Sequence, residues 1–258
     1  MQSHKIDYQI KGHDVQLVEI ELDPQETVIA EAGAMIYMDD GINFTARMGD
    51  GSEPNEGLFG KLLKGASRVI TGESLFLTHF TNSSYGKKHV AFSAPYPGTI
   101  VPFNLPDFGG SIIVQRETFL CAAMGTKVSI HLNKKIGAGL FGGEGFILQK
   151  LQGDGLAFGH AGGTVIEREL KGDSLFVDTG CIVGFTTGID FSISQAGGMR
   201  SMLFGGEGIF LAHLKGNGKI WLQSMPIRKL IQAIAPAGRN AGKEQAGGLL
   251  RDILDSSR

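Results

Sequence analysis

LFGGEGFILQKLQGDG runs from Leu140 to Gly155, and LFGGEGIFLAHLKGNG runs from Leu203 to Gly218. The two stretches open with six identical residues and lie at an offset of 63. An internal repeat of this quality decides the fold before any local propensity does. The same offset extends upstream without gaps: SIIVQRETFLCAAMGTKVSI (Ser111 to Ile130) falls on SLFVDTGCIVGFTTGIDFSI (Ser174 to Ile193). Further up, TIVPFNL (Thr99 to Leu105) falls on TVIEREL (Thr164 to Leu170), with two residues' difference in the connection between. A diverged third copy lies near the start. TVIAEAGAMIYMDDGINF (Thr27 to Phe44) matches SLFVDTGCIVGFTTGIDF at offset 147, and TGESLFLTHF (Thr71 to Phe80) matches GGEGIFLAHL at offset 134. The change of offset places 13 extra residues inside the first copy, in the interval that holds GLFGKLLKGASRVI (Gly57 to Ile70).

Three copies of about 65 residues follow, at roughly 14–95, 98–161 and 163–226, forming one β domain over 1–226. Within a copy the apolar runs are short, rich in β-branched and aromatic residues, and broken by glycine. SLFV, DFSI, GIFLAHL and GKIWLQS read as separate strands of about 4–7 residues. GDG (Gly153 to Gly155) and GNG (Gly216 to Gly218) read as hairpin turns, because Asp-Gly and Asn-Gly accept positive φ. The expected fold is therefore all-β, a small sandwich unit repeated three times with pseudo-threefold packing. Gly41, Gly125 and Gly188 occupy one repeat position and are expected at positive φ or tight against backbone.

Two segments break the β pattern. In Gly57–Ile70, Leu58, Leu62, Ala66 and Val69 form a helical stripe, with Lys61, Lys64 and Arg68 off it. That predicts an inserted helix. After Pro226, Ile227, Leu230, Ile231 and Ile234 share one helical face, and a helical C-terminal tail is expected over 227–258.

Composition narrows the function classes. The chain has 258 residues, a formal charge of −2 and 39 glycines, the last roughly twice the usual share of about 7%. The near-neutral charge argues against a nucleic-acid binder. Two cysteines build no disulfide framework and fit a reducing compartment. No apolar run reaches the length of about 18 residues that a membrane span needs, and no apolar signal core opens the sequence. A bacterial, cytoplasmic setting is expected, with peripheral membrane contact through the basic inserted helix.

AEAGAMIYM, the repeated LFGGEG and GNGKIWLQS together resemble the Altered-Inheritance-of-Mitochondria family and its bacterial relatives, over about residues 5–226. The resemblance implies a β-sandwich similar to that of the tryptophan-RNA-binding attenuation protein (TRAP), repeated about a pseudo-threefold axis. A fungal mitochondrial relative is tied to inner-membrane organisation. The family brings no established catalytic residues, so none is carried over.

Candidate binding residues come from the repeat itself. Glu73, Glu144 and Glu207 share one position. Three converging carboxylates suit a hard cation, whereas a glutamate in each glycine-rich loop also serves its own turn amides. The second reading is preferred, so no metal or other cofactor is expected. His79, Lys150 and His213 lie six residues on, basic each time. They suit an anion, but a lysine replaces no histidine as a zinc ligand, and outward-facing strand residues are expected. GHAGG carries His160 without a nucleophile elbow. Cys121 and Cys181 read as buried, inert thiols.

The sequence thus reads as a non-enzymatic scaffold or binding protein, working with a protein partner or by self-association, at a membrane surface through Lys61, Lys64 and Arg68. The alternatives are a small-molecule- or metal-dependent enzyme with its site in the Gly-Glu loops, and RNA binding by analogy of fold.

Overall fold

A computed structural model describes residues 2–48, 76–134, 146–196, 209–231 and 233–234. The inserted segment 57–70 and the tail beyond 234 lie outside these residues. So do Glu73, Glu144, Glu207, Lys61, Lys64 and Arg68.

The chain is all-β. After β1 (Asp7–Lys11), the first segment forms β2 (Leu17–Leu22), β3 (Thr27–Glu31), β4 (Met35–Met38), β5 (Ile42–Met48), β6 (Phe76–Asn82) and β7 (Lys88–Phe92). The second forms β8 (Gly98–Asn104), β9 (Ser111–Gln115), β10 (Phe119–Ala123), β11 (Lys127–Lys134), β12 (Phe146–Gln152) and β13 (Leu156–Gly162). The third forms β14 (Val165–Asp178), β15 (Ile182–Thr186), β16 (Ile189–Ala196) and β17 (Ile209–Gln223).

Pairing is antiparallel throughout the three sheets. The first sheet runs β1-β2-β7-β4, and the second runs β5-β6-β3-β10-β13-β8. The third runs β11-β12-β9-β15-β17-β14, with β16 also on β17. One pattern recurs in the segments. β7 lies between β2 and β4 while β6 lies between β3 and β5. β13 lies between β8 and β10 while β12 lies between β9 and β11. In the last segment β17 serves both roles, one half between β14 and β15 and the other between β14 and β16. The segments, or units, thus share an order of strand pairing.

Two sequence expectations are corrected here. GNG makes no hairpin turn: Gly216–Gly218 lie inside β17, a strand of 15 residues. Gly216 takes φ +133, and a Cβ there would lie 2.4 Å from the Gly188 carbonyl oxygen. With its positive φ, Gly216 lies opposite the bulge at Lys171–Ser174 of β14 and makes no turn. GDG does break the chain, but it carries it from one sheet to another, since β12 and β13 pair with different strands. The preceding connection explains the difference. In the second unit Leu105–Phe108 form a 3-10 turn with Pro106 early in it, and proline interrupts a continuing ladder. The third unit has no such turn, so its strands fuse.

The cores sit between layers. Val18, Ile20, Leu22, Val90 and Phe92 of the first sheet pack on Val28, Ala30, Phe80, Leu120 and Phe158 of the second. The opposite face of the second sheet contributes Ile29, Phe103 and Ala122, which meet Ile112, Val114, Val183 and Trp221 of the third. The third core lies within the curled third sheet, around Ile113, Phe146, Phe185, Leu214 and Ile220. Buried polar groups are matched where the ladder stops: the Asn82 amide donates to the carbonyls of Leu22 and Gly86 and its oxygen accepts from Ser84.

Strand edges join neighbouring units. β10 pairs with β3 as Cys121↔Ala30, Ala122↔Ile29 and Ala123↔Val28. β15 pairs with β9 as Gly184↔Val114, Phe185↔Ile113 and Thr186↔Ile112. The offset of 63 converts the β10 partners into the β15 partners, so the two junctions share one register. From Pro226 the chain turns helical at 227–231, where the Lys229 amide donates to the Pro226 carbonyl at 2.9 Å. The predicted apolar face is not covered as a whole, since Ile231 and Ile234 are exposed.

Candidate functional site

The repeated basic position is built the same way in each unit. His79 on β6 sits between Ile29 and Thr45. Lys150 on β12 sits between Ile113 and Ser129. His213 on β17 sits between Phe176 and Ser192. Each basic side chain therefore has an apolar neighbour on one strand and a hydroxyl on the other. The hydroxyls Thr45, Ser129 and Ser192 were missed as candidates, although the same offsets align them. The expectation of outward-facing residues fails at His79, which is only 4% exposed. The cause is the junction: β3 pairs with β10, and Ile29 beside His79 is covered by the second core. Lys150 stays half-buried because its long stem leads the ammonium out. His213 is half-buried and stacks on Phe176, ring centroids 4.5 Å apart. His79 belongs to the second sheet, Lys150 and His213 to the third. Among the described residues no cluster of three or more His, Cys, Asp or Glu is placed to hold a metal ion.

A second polar group forms at the first junction. Glu31 ends β3, and Arg116 and Glu117 lie in the 3-10 turn between β9 and β10. Tyr96 precedes β8, His160 lies on β13, and Arg228 comes from the final helical turn. Arg228 Nη2 donates to Glu117 Oε1 at 3.0 Å. Burial pushes the Glu31 carboxyl up to about 7, with Arg116 opposing and Glu117 adding to the rise. Burial, then the nearby Glu117 and Glu31, raise the Tyr96 phenol to about 12. Burial lowers His160 to about 4, so its ring is neutral at pH 7. The ring packs edge-on against Tyr96 at 4.6 Å. Among the described residues neither ring nitrogen has a partner of good hydrogen-bond geometry, and the Tyr96 backbone opposes the effect of burial by favouring the charged ring. Gly98 makes the space, since a Cβ there would lie 2.6 Å from two ring atoms. Sequence reasoning singled out only His160 here, because the other members come from separate segments with no shared motif. Chemically the group holds a carboxyl raised to about 7 beside a guanidinium, and a neutral imidazole packed on Tyr96.

The third feature is a pair of strand edges. β4 and the Ser174–Asp178 half of β14 each end a sheet. Ile36 is 50% exposed and Phe176 is 61% exposed. Met35 and Tyr37 of β4 are exposed as well. By the repeat offsets, Ile36 corresponds to Leu120 and Val183, and Phe176 to Ile29 and Ile113. Those four are all buried. Cys121 is buried as expected, whereas Cys181 is half-buried and lies 3.8 Å from Lys229 Nζ.

The fold has relatives. The crystal structure of protein SPYM3_0169 from Streptococcus pyogenes superposes with a TM-score of 0.71, covering 90% of this chain and 100% of that one at 20% identity. An uncharacterized protein of Streptococcus pyogenes serotype M6, M6_Spy0233, is 27% identical over 216 residues, 83% of each chain. No helix among the described residues is long and apolar enough to cross a membrane. The family profile described as Mitochondrial biogenesis AIM24 matches residues 8–225, and the chain belongs to that family, as its repeated motifs led one to expect.

Proposed function

We propose that this chain is a non-enzymatic scaffold whose activity is binding, through the two sheet edges β4 and Ser174–Asp178. The observation that carries the reading is the exposure of Ile36 and Phe176, apolar residues on strands that have no partner on one side among the described residues. Such edges recruit another strand unless something blunts them. No proline interrupts either edge. Peripheral membrane contact through Lys61, Lys64 and Arg68 is the finer part of the proposal and is supported by the sequence of residues 57–70. Flotation with anionic vesicles tests that part: Leu62→Asp should abolish it.

The binding surface itself is tested by Ile36→Asp and Phe176→Asp. On a free surface each leaves the melting temperature of the dilute protein within about 3 °C. A fall beyond about 10 °C would mean that these residues are interior packing, and the binding reading would fail.

A further inference from the structure

The two made junctions specify what an edge of this kind accepts. At each, strand edges pair in one register and the units exchange side chains. β3 supplies Ile29 to the second core, and β9 supplies Ile113 to the third. In the other direction β10 supplies Leu120 to the first core, and β15 supplies Val183 to the second. Among the described residues, Phe176 and Ile36 occupy the two positions of this exchange that are left exposed.

The geometry points to a second copy of this chain as the partner: the Ser174–Asp178 edge of one molecule pairs antiparallel with β4 of the next. This rests on the proposal that these edges bind. The offsets fix the register as Tyr37↔Val177, Met38↔Phe176 and Asp39↔Leu175. Phe176 then enters the first core of the neighbour beside Met38, which already packs against it. Ile36 enters the third core of the donor, where Ile182 and Phe185 lie. Asp39 adds no uncompensated carboxylate, because it already accepts from the His89 amide at 2.8 Å. Its side chain also meets the His89 ring at 3.2 Å.

A second copy fits better than the chain's own other end. β4 closes the first sheet and β14 the third, and they are unpaired with each other in the folded chain. Because the donor and acceptor edges differ, the contact is head-to-tail and gives rings or open chains rather than a twofold dimer.

The test mixes two full-length chains, Met38→Cys and Phe176→Cys, each also carrying Cys181→Ser. Directly opposed residues of an antiparallel pair lie within disulfide reach. Oxidation of the mixture should give a linked two-chain product, and the chain carrying both cysteines should give a ladder. Light scattering should give a mass at least twice 27.5 kDa, reduced to one chain by Ile36→Asp. A double-cysteine chain that links only within itself overturns the proposal, and so does the absence of any link. A single-chain mass with Ile36→Asp melting unchanged overturns the second copy but leaves the edges free for another partner. A single-chain mass with a strongly lowered melting temperature overturns the binding reading as well.

Discussion

β9 and the second half of β14 are the same repeat position in different company. SIIVQ of β9 is buried at every residue, whereas in SLFVD of β14 only Val177 is. Both are short apolar strands, and both pair on one side with the strand that carries the basic position. The difference is the other side: β9 has β15, and β14 has nothing among the described residues. The lesson is that apolar character in this chain marks a place in a junction rather than a place in one unit's core. The sharpest way to break that comparison is truncation at equivalent positions. Ile113→Ala should cost about 2–5 kcal/mol, since Ile113 is buried in the third core. Phe176→Ala should cost about 0.5 kcal/mol or less in dilute protein, although it removes more atoms. Urea unfolding of both variants measures the contrast, and equal losses would mean that the β14 edge is covered.

The first junction also holds two groups whose titrations oppose each other. Glu31 titrates near 7 in the fold against an ordinary 4.5. Between those values the folded state holds a proton that the unfolded state has released, so the Glu31 contribution falls as pH rises from 4.5 to 7. His160 titrates near 4 against an ordinary 6.5. Between those values the unfolded state binds the extra proton, so the His160 contribution falls as pH drops from 6.5 to 4. The two slopes cancel between about 4.5 and 6.5, leaving wild-type stability flat in their joint contribution. Glu31→Gln should expose the His160 slope, with stability climbing from pH 4 to 6.5 by on the order of 2 kcal/mol. His160→Asn should expose the other, with stability falling by a similar amount from pH 4.5 to 7. Unfolding free energies at half-unit pH steps check both signs.

Much of this architecture was legible because the offsets act on register. The offset that aligns Ser111–Ile130 with Ser174–Ile193 also converts one junction's pairing into the other's. The glycine position was legible too. Gly41 and Gly125 take positive φ, and a Cβ on Gly188 would lie 2.2 Å from the Asn217 carbonyl oxygen. The reading of GNG as a turn failed because positive φ serves a bulge as well as a hairpin. The burial of His79 was hidden because a neighbouring unit causes it, and the Glu31–Tyr96 group because no single segment contains it. Gly188→Val should therefore destabilise by roughly 1–3 kcal/mol, as a β-branched side chain meets backbone that cannot turn away. Gly172→Ala has open space around its Cβ and carries only the strain of its positive φ, so it should cost about 1–2 kcal/mol. Thermal melts of the pair separate close approach from backbone conformation.

The smallest expected effect compares the two thiols. Cys121 lies within the made β3–β10 junction, paired with Ala30 and fully buried. Burial alone holds its thiol well above the ordinary range, and a reagent reaches it only when the junction opens. Cys181 follows the unmade β14 edge and is half-buried. Burial and then Asp178 push its thiol up, while Lys229 pulls it down. Lys229 is itself held by Asp178 at 2.9 Å, so removing it takes away a cation that favours the thiolate and leaves the carboxylate. The thiolate is the reactive form. Wild-type protein should therefore take up one thiol reagent at Cys181 at pH 8, with Cys121 silent until urea opens the fold. Lys229→Ala should slow that uptake several-fold and change stability by less than about 1 kcal/mol, since the ion pair is largely exposed. Mass spectrometry of the labelled peptides reads both sites at once. Comparable labelling of Cys121 in native protein would show that the β3–β10 junction opens as freely as the edge beyond it, and the contrast between the two regions would disappear.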